Sequence, residues 1–217
     1  MDGLNSDERK RPYHHGDLRQ ALLSEAERIL ESEGVQGMTL RAIARAAGVS
    51  HTAPQNHFGD LTGLLSELAA VGFHRFSREL ADASAQVGED RLSRNRATAR
   101  AYLAFARRYP GLFTLMFRSE MLDGGRPALR EAIEASRAAL AATSQPAGHA
   151  ASPRHLVAAG AARWSLVHGF AVLLVEGRFE GMMRMVPGGL SPDELFEAML
   201  DCVRVEPPEV PESSQRD

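Results

Sequence analysis

The stretch Thr39-Leu-Arg-Ala-Ile-Ala-Arg-Ala-Ala-Gly-Val-Ser-His-Thr-Ala-Pro-Gln-Asn-His-Phe58 reads as two short helices joined by one sharp turn. Thr39 is placed to cap the first helix, whose Leu40, Ile43, Ala44 and Ala47 form an apolar stripe at helical spacing. Gly48 permits the left-handed backbone that closes a helix, and Ser50 can cap the next one. Pro54 is tolerable only near the start of its helix, which favours a cap at Thr52 or a distorted first turn. The second helix, from about His51 to His57, carries short polar side chains of the length that reaches base edges in a major groove. The unit is a helix-turn-helix. Its expected DNA-facing set is Thr39 and Arg41, then Ser50, His51, Thr52, Ala53, Gln55, Asn56 and His57. Spacing alone does not decide the matter, since many helical hairpins carry no nucleic acid.

The 217 residues suffice for one domain or two modest ones, and 44% hydrophobic content is ordinary for a chain with a sizeable core. A formal net charge of -3 argues against a protein that coats nucleic acid indiscriminately. Any DNA contact must come from a local positive region. Between residues 9 and 57, Arg9, Lys10, Arg11, Arg19, Arg28, Arg41 and Arg45 outweigh Asp17, Glu25, Glu27, Glu31 and Glu33, so the N-terminal part is mildly basic. Lys10 is the only lysine, a bias that fits a GC-rich genome better than a need for guanidinium chemistry. Cys202 is the only cysteine, which excludes an intrachain disulfide and a cysteine-rich zinc site and points to a reducing compartment. No leader pattern opens the chain, and its apolar runs read as too short or too interrupted by Arg, Glu and His to span a bilayer, so a cytoplasmic protein without a membrane partner is expected.

Residues 1–12 read as a disordered arm and 206–217, rich in Pro, Glu and Ser, as a disordered tail. Asp17 and Gln20 have the form of a capping box, followed by an apolar face from Leu18 to Leu30 and a stop at Gly34. After the helix-turn-helix, a long amphipathic helix is expected from Leu61 to about Ala85. Further helices are expected over Arg94 to Tyr109, around Leu112 to Phe117, and over Pro127 to Thr143, Pro153 to Arg178 and Ser191 to Val203. No alternating strand pattern occurs. The expected fold is all-α, with a helix-turn-helix domain over 13–60 and a larger helical domain over 61–205.

The run Ala44-x-x-Ala47-Gly48-Val49-Ser50, with His57-Phe58 and Leu64-Leu65 after it, resembles the DNA-binding domain of the TetR family of bacterial transcriptional regulators. Tyr13 to Leu23, Tyr109 to Phe117 and Trp164-Ser-Leu-Val-His168-Gly169 look like the subgroup with a Trp-x-x-x-His-Gly signature in its C-terminal domain. The resemblance implies three DNA-binding helices, a fourth linking helix, and a larger domain that holds a small-molecule effector and dimerises through its last two long helices. It also implies a regulator, expected here to be a repressor, that docks as a homodimer on a pseudo-palindromic operator. Two positions depart from the pattern. Gln55 stands where the family usually has a tyrosine, and Leu61 where it usually has a lysine, both phosphate-touching positions in relatives. Losing them lowers the sequence-independent part of affinity, which keeps open a second reading, a TetR-like homodimer that has lost operator binding and serves as a ligand- or protein-binding module.

Trp164 and His168, one helical turn apart, and the cluster Phe113, Met116, Phe117 and Met121 are the candidate effector pocket, with core packing as the alternative for each. On the helix that carries Trp164, a face of Ala161, Trp164, His168, Val172 and Val175 is set against one of Leu166, Val167, Phe170, Leu173 and Leu174, and pocket and interface are not assigned between them. Met182, Met183 and Met185 make a third apolar group. His51 and His57, six apart, lie on different helix faces without an acid or thiol, so no metal is expected. His14 and His15 belong to the arm, with minor-groove contact as an extra. Ser165 and His168 share a helix with no acidic partner in view, and no phosphate loop or cofactor motif occurs, so neither catalysis nor a cofactor is expected.

Overall fold

The computed structural model describes residues 15–142 and 152–202, and within them every regular element is helical. The arm at 1–12, His14 and the tail at 206–217 lie outside the described residues. Helix α1 spans His15–Glu33, so His15 opens a helix rather than ending an arm, and Asp17 lies inside the first turn instead of capping it. A 3-10 turn at Val35–Gly37 leads to α2, Leu40–Ala46. Thr39 caps α2 as expected, its Oγ1 accepting the Ala42 N–H at 3.0 Å. Gly48, at φ +67°, closes the helix: its N–H and that of Val49 turn back onto the Arg45 and Ala44 carbonyls at 3.2 and 3.0 Å.

Helix α3 is shorter than expected, Ala53–Phe58. Neither Ser50 nor Thr52 caps it with a hydroxyl; the two side chains bond each other at 3.1 Å, and the entry is a backbone turn in which the Ala53 N–H donates to the Ser50 carbonyl at 3.0 Å. Pro54 sits in the first turn, where its missing N–H has no helical partner to lose. Helix α4, Leu61–Ala85, has the expected limits, because Asp60 Oδ1 accepts the Gly63 N–H at 2.7 Å and fixes its start. It is the spine of the molecule, packing on α1 and α3 at one end and on the helices of the larger domain along the rest.

The larger domain comprises α5 (Arg91–Arg108), α6 (Pro110–Met116), α7 (Pro127–Ala142), α8 (Pro153–Val175), α9 (Glu180–Met183) and α10 (Pro192–Cys202). Helix α5 begins before the expected Arg94 because Asp90 accepts the Ser93 N–H at 2.8 Å. Helix α8 stops short of Arg178, where the N–H groups of Gly177 and Arg178 turn back onto Leu174 and Leu173. It is nonetheless long and apolar enough, by length and composition, to cross a membrane, which corrects the expectation that no segment is. One side packs on α5, and Phe170 stacks against Phe196 of α10 at 4.9 Å. Arg100 and Arg107 of α5 pair with Glu197 and Asp193 of α10 at 2.7 and 2.8 Å.

Four contacts tie the first helices to α4 and to the larger domain. Arg75 of α4 holds Glu27 of α1 with two bonds, at 2.6 and 3.0 Å, and Arg19 reaches Glu67 at 2.6 Å. Glu31 of α1 accepts the N–H groups of Gly111 and Leu112 at 2.9 and 2.8 Å, so the first turn of α6 is capped by a carboxylate from another helix. Arg126, the residue before α7, donates to the carbonyl of Phe58, the last residue of α3, at 2.8 Å. Gly63 makes the last contact possible: a side chain there would collide with the Phe58 carbonyl oxygen and come within 2.7 Å of the Arg126 guanidinium carbon.

Aromatic rings fill the space between α4, α5, α6 and α8. Phe76 meets Tyr102 edge-on at 4.8 Å, Phe113 meets Phe117 at 5.2 Å, and His168 lies against Phe117 and Trp164 at 4.5 and 5.3 Å. The Tyr102 hydroxyl and His168 Nδ1 are hydrogen-bonded at 2.8 Å. Burial pushes the Tyr102 phenol well above its ordinary value and holds His168 below its ordinary 6.5.

The His168 shift has a sign. The unfolded chain takes up a proton at this ring before the folded one does, so stability is full above pH 6.5 and falls as pH drops below it. Urea titrations at about pH 7.5 and about pH 5.5 should show an acid loss that shrinks in His168→Gln, which can still bond Tyr102 but does not titrate; equal losses in the two proteins would contradict the assignment. Gly63→Ala should destabilise although Ala favours a helix interior by about 1 kcal/mol over Gly, because overpacking against a fixed carbonyl costs about 1–3 kcal/mol and Arg126 loses its seat. An unchanged or higher urea midpoint would refute that close approach.

Candidate functional site

Helices α2 and α3 present a polar surface around the turn. Thr39, Arg41, Ser50, His51, Thr52, Gln55 and Asn56 are exposed, and His57 is half-buried beside Phe58. Asn56 and Gln55 stand on the outer side of α3 while Pro54 and Phe58 face inward and anchor the helix. Ala53 is a correction: it is buried against the body at 9% exposure and presents nothing to a groove. The Thr39 oxygen is occupied as a cap acceptor, which leaves its hydroxyl proton free for a phosphate oxygen. Arg41 and Arg45 put positive charge on the exposed side of α2. Leu61, by contrast, packs against the core, and the exposed residues at the start of α4 are Asp60, whose carboxylate caps the helix, and Thr62. The first turn of α4 therefore supplies no cation to a phosphate.

A cavity of about 850 Å³ lies in the larger domain. Phe73 and Phe76 of α4, Met116 and Phe117 at the end of α6, Leu129, Ile133, Ser136 and Leu140 of α7, and Leu156, Gly160 and Trp164 of α8 line it. Of the six residues expected to form a pocket, Met116, Phe117 and Trp164 do. Phe113 is packed into the core at 2% exposure, His168 turns behind Trp164 to Tyr102, and Met121 packs on the core beside the cavity rather than on its wall. Ala161 lines the cavity with Trp164, whereas Val172 and Val175 of the same expected face pack against the core. The wall that went unrecognised is α7. Its Leu129, Ile133, Ser136 and Leu140 recur at helical spacing, a stripe that in sequence has the same form as any core-facing one.

The cavity and the polar face share supports. Arg126 joins the start of α7 to the end of α3, and Glu31 joins α1 to the start of α6, whose other end contributes Met116 and Phe117 to the cavity. Behind the cavity wall the Tyr102 hydroxyl holds the His168 ring through Nδ1.

Residues 22–68 match the family model for bacterial regulatory proteins of the tetR family, and residues 95–203 match that for the tetracyclin repressor-like C-terminal domain. The chain is 32% identical to a structurally characterised protein of unknown function from Rhodococcus sp. RHA1, with a TM-score of 0.71 over 89% of this chain and 96% of that one. It is 27% identical over 165 residues to the uncharacterized HTH-type transcriptional regulator YobS of Bacillus subtilis (strain 168), covering 76% of this chain and 83% of that protein. A possible TetR family transcriptional regulator from Streptomyces coelicolor A3(2), 20% identical, shares the fold at a TM-score of 0.55 over 86% of this chain and 81% of its own. The two domain matches fall on the helix-turn-helix and on the helices that enclose the cavity, and the chain belongs to the TetR family of bacterial transcriptional regulators.

Proposed function

We propose that this chain is a homodimeric, ligand-responsive repressor, cytoplasmic, whose two recognition helices enter successive major grooves of a pseudo-palindromic operator and are withdrawn when an effector fills the cavity. The observation that carries this reading is the bond from Arg126 to the Phe58 carbonyl, because it couples a cavity wall to the recognition helix. A ligand that moves α7 moves α3. The coupling cannot exceed the ligand's differential affinity for the two arrangements.

The dimer reading is supported by α8, an apolar helix whose Leu173, away from the cavity, is exposed at 42%. A second copy laid along α8 and α10 would remove that surface from water. With heads docked like other dimeric helix-turn-helix proteins, half-site centres would be roughly 34–36 Å apart. The second reading, loss of operator binding, is favoured by Gln55 and by the absence of a cation at the start of α4, where Leu61 is packed and Asp60 exposed.

Selection from random duplex at two salt concentrations, with the mass of the protein in solution measured alongside, separates the two. Sequence-selective retention of a dimer supports the repressor, and transcription from a promoter carrying the selected site should fall. A dimer indifferent to every duplex supports the second reading, and a monomer contradicts both. Asn56→Ala should relax selectivity at one base step by about 1–3 kcal/mol, while Arg41→Ala should weaken all sequences and reduce the salt slope by about one. Equal losses for Asn56→Ala on selected and random DNA would exclude base reading.

Arg126→Ala tests the linkage without any effector. Amide hydrogen exchange over residues 53–60 should accelerate while α8 is unchanged. If α3 exchanged at the same rate in both proteins, Arg126 would not be the tie.

A further inference from the structure

We propose that the cavity takes an uncharged, mostly hydrocarbon ligand bearing one hydrogen-bond donor, and that Ser136 receives that donor. The proposal rests on the reading of the cavity as the effector site and adds the chemistry of what enters it.

The walls decide against an ion. Phe73, Met116, Phe117, Ile133, Leu140 and Trp164 offer apolar and aromatic surface, and a charged group moved there from water without a partner would be strongly disfavoured. Among the described lining residues there is no carboxylate to balance a cation. The one charged residue among them, Arg137, donates to Glu134 Oε1 at 2.7 Å, and these side chains are 70% and 68% exposed. Its charge therefore stands in water at the rim, already paired, and gives an entering anion little. The volume, about 850 Å³, is within the range of sites for small organic molecules.

Ser136 decides for a donor. It is buried, at 5% exposure, and lies on the cavity wall. Its hydroxyl proton is directed to the Ile133 carbonyl at 2.8 Å, so what the oxygen still offers is acceptor capacity. A ligand hydroxyl or N–H satisfies that oxygen; an ether or a carboxylate cannot.

Trp164, the sole tryptophan of the chain, lies on the wall, so its emission reads occupancy directly. Four probes of one chain length make the test, the neutral ones kept below their solubility limit and the ionic ones below their micellar concentration: dodecanol, dodecyl methyl ether, dodecanoate and dodecyltrimethylammonium. Dodecanol should bind at least about tenfold more tightly than either ion and about fivefold more tightly than the ether. Ser136→Ala should remove the preference for the alcohol over the ether and leave ether binding unchanged. A carboxylate or ammonium probe that binds as tightly as the alcohol overturns the assignment to neutral ligands while the cavity reading stands, the ammonium outcome marking cation–π recognition by the rings. Equal affinity of alcohol and ether in the unaltered protein, or a preference that persists in Ser136→Ala, overturns the role of Ser136. Emission that no probe perturbs overturns the cavity as a ligand site and with it the effector reading.

Discussion

The carbonyl groups in the last turn of a helix have no partner within that helix, and in a helix of six residues they are most of the carbonyls there are. In α3 one of them, that of Phe58, is satisfied by the guanidinium of Arg126 from the start of α7. The contact needs three things at once: a recognition helix that ends at Phe58, a helix α4 without a side chain at Gly63, and a loop that brings Arg126 back from the far side of α4. Each belongs to a different part of the chain. A short helix with little intrinsic stability is thereby held in a defined orientation by the domain that encloses the cavity.

The same economy of contacts recurs at α6. Its first residue is Pro110, its N-terminal N–H groups at Gly111 and Leu112 are taken by Glu31 of α1, and its last residues are cavity wall. The two helices α6 and α7, which reach the cavity from the side of the helix-turn-helix domain, are thus each anchored to that domain at their starting ends. Between them α4 is clamped to α1 by the paired bonds of Arg75 with Glu27. Bidentate guanidinium pairs resist rotation as well as separation, so this pair fixes the orientation of α1 against α4.

Local signals were legible in the chain and non-local ones were not. Thr39, Gly48 and the limits of α4 could be read because cap and partner lie within a few residues of each other. Ser50 has the composition of a cap without the role, since the entry to α3 is a backbone turn from the Ala53 N–H to the Ser50 carbonyl. Helix α6 begins at Pro110, ahead of the expected Leu112, with its first N–H groups met by Glu31, some eighty residues away in the chain. The pocket was half legible: aromatic and methionine residues drew attention to Met116, Phe117 and Trp164, but Phe113 and His168 carry the same signal and turned out to be packing.

What the amino-acid sequence by itself determined is the helical class, the helix-turn-helix and the family, because these depend on periodicity, capping and turn residues that act over one or two helical turns. Only the tertiary structure decided which apolar stripes enclose space and which fill it. A stripe such as Leu129, Ile133, Ser136 and Leu140 has one pattern and two possible uses. The difference lies in how far apart the opposing helices are held, and that depends on packing between residues distant along the chain, of which Arg126 with Phe58 and Glu31 with Gly111 are two contacts that no local pattern announces.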